Sequence, residues 1–487
     1  MVKQIITDPP GFTFQEFSIL TGETKRDCVI TNINIETKLA EVSLGIPLLS
    51  AAMMSVTGEE MGIALAKERG LPVLPTRLPI EEQAGIVHKI KNYEMGFVAE
   101  PTTARETSTI DEVLRLVEQH GHSKVPIIDR NNTFLGIFSY EDYIKSSITR
   151  DAPVTRAMLT IEAGKVPYIE KPDLTVTEAK EILEQKGANY LVVLDNQKRL
   201  VKLAFKKDEE KLKAAFAIST HPGWQERVEA CLAEGADLVF VDTSDGYNEF
   251  TSDAIKEYKQ MAIYKRRRAS ICAGNIITYE GAMYLMEAGA DIIKSGMSSG
   301  SICTTKREKA IGRAPLTALI EADRARRDFF ARTGKYVALI GDGGITGTAD
   351  LNVSLTIADG AMMGGYFNKF LEAAGEKYDE NGKITTDEKR IKKVATWGEG
   401  SLRAQNLDRY GHASKHTFFA EGEEGEVDYG GRLKPALKRD LMKIRAALSN
   451  VGSYNLEQFR RDAVIERISP YAMAIINDTH GMKVKKA

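Results

Sequence analysis

Short apolar runs recur along the chain, and each is followed by a stretch with the period of a helix. The strand-like runs are residues 46–50, 71–74, 214–218, 238–241, 269–273, 291–295, 336–340 and 361–364. Between them lie segments of helical spacing, such as TYEGAMYLMEA at 278–288 and GTADLNVSLTIA at 347–358. Strands that alternate with helices predict parallel βαβ units. Eight such units are the number that closes a (β/α)8 barrel, an α/β fold of the TIM-barrel type.

The spacing breaks once, between the second and third strand-like runs, and the intervening insert carries an internal repeat. SKVPIID (123–129) leads to FLGIFSYEDY (134–143), and ANYLVVLD (188–195) leads to LVKLAFKKD (200–208). A helical stretch precedes each half, at 110–119 and 176–185. Two copies of such a unit predict a small domain inserted through a surface loop. The expected division is a first barrel segment at 1–98, the insert at 99–210, and the rest of the barrel at 211–487.

Composition narrows the class without changing this picture. The 487 residues are 43% apolar and 28% charged, with a formal net charge of -2. That is a globular chain with a large core and no general attraction to nucleic acid or membrane. The run Lys265, Arg266, Arg267, Arg268 reads as a solvated helix end or loop. Cys28, Cys231, Cys272 and Cys303 form no CxxC pair, which argues against a disulfide framework or zinc knuckle and for a reducing compartment. The opening MVKQIITDPPGF lacks the apolar stretch of a signal peptide, and no run is long enough to span a bilayer. A cytoplasmic protein without membrane partners is expected.

In barrels of this type the active site lies at the C-terminal ends of the strands. Reading past each strand yields Asp242, Thr243, Ser244, Asp245 and Gly246 after the fourth, and Gly274 and Asn275 after the fifth. The loop from Gly296 to Thr305 follows the sixth, Asp342, Gly343 and Gly344 follow the seventh, and Gly364 and Gly365 end the eighth. Glycine pairs after strands seven and eight predict a phosphate site, because backbone N–H groups there can approach an anion closely. Asp342 is placed to accept hydrogen bonds from sugar hydroxyls. Cys303 lies in GMSSGSICTT, among residues too short to bury it. Backbone amides around it would favour the nucleophilic thiolate, whereas the other three cysteines read as small buried hydrophobes. Residues 377–434 hold many charges and little apolar periodicity, which predicts a mobile flap without regular structure. His412 and His416 within it have the spacing of a helical metal pair but no third ligand nearby in sequence, and read as solvated.

Together these residues resemble the IMP dehydrogenase family over nearly the whole chain. The resemblance rests on Ser50, Ala51, Ala52 and Met53 near the first strand, the 242–246 and Gly274–Asn275 motifs, GSICTT at 300–305, the 342–344 motif, and Arg409 with Tyr410. The WGEG flap entry at 397–400 is similar to the divergent protozoal branch. The family implies oxidation of IMP to XMP with NAD, the committed step of guanine nucleotide synthesis. Cys303 would attack C2 of the hypoxanthine and form a covalent thioimidate. Arg409 would activate water, with Tyr410 and Thr305 completing the hydrolytic site.

Met53, Ser301, Asp342, Gly343, Gly344, Gly364, Gly365, Glu399, Gly400 and Glu421 would bind IMP. Asp242, Ser244, Asn275, Gly296 and Met297 would line the NAD side. Backbone carbonyls of Ser298, Gly300 and Cys303 would hold a potassium ion. The insert would be a tandem CBS (Bateman) domain for adenine or guanine nucleotides, and the assembly a homotetramer. The chain departs from the family at Ser298, where glycine is usual, and at Ala51, where serine is common. The rival reading is the related GMP reductase, which consumes NADPH and has no hydrolytic step. Arg409 and Tyr410 favour the dehydrogenase. A non-catalytic nucleotide sensor would need no thiol nucleophile.

Overall fold

The computed structural model describes residues 11–93, 97–98, 101–120, 123–205, 212–297, 300, 304–405 and 422–477. Two compact units emerge: Met1–Lys91, Leu212–Leu433 and Arg439–Ala487 form one, and Asn92–Lys211 with Lys434–Lys438 the other.

Eight parallel strands of the first unit close a barrel: β1 Leu48–Ser50, β2 Leu71–Leu74, β3 Ala215–Ile218, β4 Leu238–Asp242, β5 Ser270–Ile276, β6 Ile292–Ser295, β7 Ala338–Asp342 and β8 Gly360–Met363. The ring runs from β3 to β8, then through β1 and β2, and closes where Ala215 pairs with Val73. Each strand coincides with a strand-like run of the sequence. The main differences are at β5 and β7, which run on to Ile276 and Asp342 and so take in residues expected just beyond them.

Alternation explains why these runs are apolar at nearly every position. Leu49, Val73, Ala217, Leu238, Phe240, Cys272, Ile292, Ala338, Ile340 and Met362 belong to one buried cluster filling the barrel. The residues between them, such as Val239, Ile271, Ile293 and Leu339, are also buried, as a strand covered by helices on its outer face requires. A hairpin, Thr37–Leu39 with Val42–Leu44, adds Leu39, Val42 and Leu44 to that cluster. Its Thr37 hydroxyl donates to the carbonyl of Asp359 (2.6 Å), just before β8, so the hairpin closes the N-terminal end.

The second unit contains two four-stranded sheets built alike. Lys124–Ile128 and Phe134–Ser139 form the hairpin of one, Tyr190–Leu194 and Leu200–Phe205 that of the other. The likeness holds at single residues. Asp129 and Asp195 each accept backbone N–H bonds two and four residues on. Asn132 and Lys198 both take positive φ. Thr109 with Glu112, and Thr175 with Glu178, make reciprocal helix-start bonds. Every pair is displaced by the same 66 residues. Among the described residues, no helix is long and apolar enough to cross a membrane.

Candidate active site

The inward alternation turns polar at its last step. Leu238 and Phe240 are followed inward by Asp242, Ile292 by Lys294, and Ala338 and Ile340 by Asp342. Barrel closure thereby brings one ammonium and two carboxylates to the C-terminal mouth. Lys294 Nζ lies 2.9 Å from Asp242 Oδ1 and 2.6 Å from Asp342 Oδ2, with its side chain only 4% exposed. It also donates to Asn275 Oδ1. Asn275 Nδ2 donates to Asp342 Oδ2 (2.9 Å) and to the carbonyl of Gly296. Burial opposes the charge on Lys294, yet the attraction of Asp242 and Asp342 outweighs it and holds the ammonium's pKa above its ordinary value. The expected Asp242, Asn275, Gly296 and Asp342 are thus linked directly. Lys294 was not anticipated: a lysine within IIKS looks like a strand with one polar position.

The two glycine pairs follow immediately. Gly343 and Gly344 have φ of 79° and 72°, left-handed conformations that side chains disfavour. The Gly343 N–H also donates to the carbonyl of Met362, joining this loop to β8 (3.3 Å). Gly364 packs against Met53: a Cβ there would stand 2.9 Å from Met53 Sδ, and that side chain would have to shift. The loop after β7 is braced by Asp350, which accepts from Thr346 N (2.8 Å) and from Gln15 Nε2 (2.6 Å). Gln15 Nε2 also donates to the Gly344 carbonyl (3.3 Å). Nothing local in sequence connects residue 15 with this loop.

The segment expected to lack regular structure holds a three-stranded antiparallel sheet: Lys377–Tyr378, Lys393–Trp397 and Glu424–Asp428. That expectation is corrected by long-range pairing: residues 394–397 are buried, while Glu424–Asp428 is largely exposed and shows no apolar alternation. The Ser55 hydroxyl donates to the Trp397 carbonyl (3.0 Å), and Arg403 stacks over the Trp397 ring (3.9 Å). Glu399 is fixed beside Met53: its Oε1 accepts from Met54 N (2.8 Å), and its Oε2 lies 3.2 Å from Arg77 Nε. Arg77, three residues past β2, was likewise missed.

A cavity of about 560 Å³ opens beside this cluster, lined by Asp242, Ser244, His221, Phe250, Arg77 and Glu399 among others. Met297 is buried where the loop leaves β6, and Thr305 is buried where the helix Thr305–Lys309 begins. Of the remaining expected residues, Gly300, Gly365 and Gly400 are among those described. Ser298, Ser301, Cys303, Arg409, Tyr410, His412, His416 and Glu421 lie outside the described residues. The other three cysteines are buried. Burial pushes the thiols of Cys28 and Cys272 up, and that of Cys231 up to about 12, which leaves them as inert thiols.

Comparison with known proteins agrees with this geometry. A family model described as the IMP dehydrogenase / GMP reductase domain matches residues 11–477. The inosine-5'-monophosphate dehydrogenase of Tritrichomonas foetus is 32% identical, over 98% of this chain and 97% of its own. That of Aquifex aeolicus is 30% identical over 94% and 93%. Among solved structures, a GMP reductase from Trypanosoma brucei in complex with guanosine 5'-monophosphate superposes with a TM-score of 0.68. It is 21% identical and covers 97% of this chain and 98% of its own. A family match from residue 11 to residue 477 takes in barrel and insert alike, and the chain belongs to the IMP dehydrogenase / GMP reductase family.

Proposed function

We propose that the protein oxidises IMP to XMP with NAD, through a thioimidate formed on Cys303. The observation that carries this reading is the barrel mouth itself. Asp342, held by Lys294 and Asn275, stands next to the paired left-handed glycines Gly343 and Gly344. A carboxylate for the ribose hydroxyls, and a glycine loop whose backbone a phosphate can approach closely, are what a nucleoside monophosphate requires. Gly364, Gly365 and Ser301 complete the phosphate contacts, Met53 packs beneath the base, and Glu399, Gly400 and Glu421 meet the purine edge. The cavity beside Asp242 and Ser244 receives the dinucleotide, with Asn275, Gly296 and Met297 on its nicotinamide side.

The chemistry then follows from the residues. The Cys303 thiolate adds to C2, and hydride leaves C2 for the NAD nicotinamide. The thioimidate retains the purine on the enzyme. Arg409, with Tyr410 and Thr305, takes a proton from water as the water adds to C2, and the thiolate is expelled with XMP. The sum is IMP, NAD and water to XMP, NADH and a proton. Covalent catalysis divides one difficult oxidation into two accessible steps. Carbonyls of Ser298, Gly300 and Cys303 are the proposed holders of a potassium ion. The duplicated unit is proposed as a tandem CBS domain for adenine or guanine nucleotides, and the assembly as a homotetramer in the cytoplasm.

Incubation with IMP and NAD, followed by NADH absorbance, tests the reading. NADH formation is expected. Its absence, together with NADPH consumption on addition of GMP, would establish a GMP reductase instead.

A further inference from the structure

Lys294 has no place in the steps above, yet it is the most heavily engaged side chain at the barrel mouth. It stands on β6, between β4, β5 and β7, and meets an oxygen from each: Asp242, Asn275 and Asp342. Its side chain is 4% exposed, whereas those of Asp242 and Asp342 are 24% and 18% exposed. The ammonium is therefore enclosed and the carboxylates partly open. A buried lysine whose only task is to fill the barrel is disfavoured against an apolar residue of similar size, because desolvation of the charge offsets the pairing. Below Lys294 and Asp342, the inward positions of β6 and β7, Ile292, Ala338 and Ile340, are apolar.

From this geometry we infer that Lys294 is a positioning residue which sets both substrate sites at once. It holds Asp342 for the ribose of the nucleotide and Asp242 for the nicotinamide side of the dinucleotide. This inference rests on the function proposed above. The two carboxylates point to one centre, and without a cation between them they would repel each other into new positions. One ammonium shared by both makes their separation a fixed quantity. The two ligands consequently meet in one register, with the hydride donor carbon facing its acceptor. Lysine suits this task because its compact charge serves several acceptors without demanding a planar fork. Asn275 reinforces the same geometry, donating to Asp342 while accepting from Lys294.

The test is steady-state kinetics of the full-length Lys294→Gln enzyme with IMP and NAD. Loss of charge-assisted bonds to both acids should raise KM for IMP and KM for NAD, each by about tenfold or more. The effect on kcat should be smaller. A lysine that merely supported the fold would lower the yield of active enzyme without moving either KM. If either KM stays within about twofold of wild type, the inference is overturned. Should Lys294→Gln not fold, Lys294→Arg replaces it, and the two KM values are expected to shift together. A shift in one alone would refute the shared role. Failure of the wild-type enzyme to make NADH from IMP would instead count against the proposed function, so the two failures are distinguishable.

Discussion

The barrel carries a buried cation among carboxylates at each end, and the two clusters differ in what surrounds them. At the N-terminal end Arg326 Nη1 donates to Asp359 Oδ2 and to the Tyr336 hydroxyl, both at 2.8 Å. Asp359 also accepts from Tyr336 (2.8 Å) and from the Leu339 N–H (2.8 Å), and Arg460 lies 3.2 Å away. Its side chain is 2% exposed. The planar guanidinium, stacked over Tyr336 at 5.2 Å, suits such a rigid set of acceptors. At the C-terminal end a lysine serves carboxylates that remain partly open to the mouth. Charge burial alone does not mark a site. The closed cluster ties helix to strand, and the open one leaves its acceptors partly exposed, in keeping with the division of barrels into a stability face and a catalytic face.

That contrast can be broken at either end. The largest effect is expected for Cys303→Ala, in the loop after the open cluster. Turnover should fall by about a thousandfold or more, and mass spectrometry should no longer detect a purine adduct after incubation with IMP and NAD. Arg326→Leu should destabilise the protein by about 3 kcal/mol, because it removes the most buried cation from Asp359 and leaves Arg460 as its remaining ion partner. Denaturation measures that loss, while KM for IMP in the folded fraction should be unchanged; a raised KM would dissolve the distinction. Asp342→Ala should lower kcat/KM for IMP by about a hundredfold, with a smaller loss of stability than Arg326→Leu, because Lys294 keeps Asp242 and Asn275 as partners. An equally large fall in midpoint would make the mouth a structural cluster after all. Tyr336→Phe sharpens the picture most gently: about 1 kcal/mol of stability should be lost, with no kinetic change.

Where the protein's chemistry follows local pattern, it was legible in the sequence. The eight barrel strands, their order and the glycine pairs after β7 and β8 all lie in short runs whose periodicity speaks for itself. What escaped depends on closure. Lys294 acquires meaning only when β4, β5 and β7 arrive beside it, and Arg77 only when Glu399 returns to the mouth. The sheet at 377–428 escaped because one of its strands is exposed throughout most of its length and so lacks an apolar face. Phe17–Ile19 pairs with Ile465–Arg467 across almost the entire chain, a contact that no window of sequence can anticipate.

The second unit ends as it begins. Phe97–Val98, near its start, pairs antiparallel with Leu200–Phe205, near its finish, so that Val98 faces Leu203. The chain leaves and returns through neighbouring strands of one sheet. To the barrel, an excursion of this kind resembles a short hairpin: its ends are brought together by the guest's own folding, and the host bears little of the closure entropy. Such a module is portable. It can be acquired, lost or exchanged in evolution with the barrel between β2 and β3 left whole, and a brief turn could stand in its place.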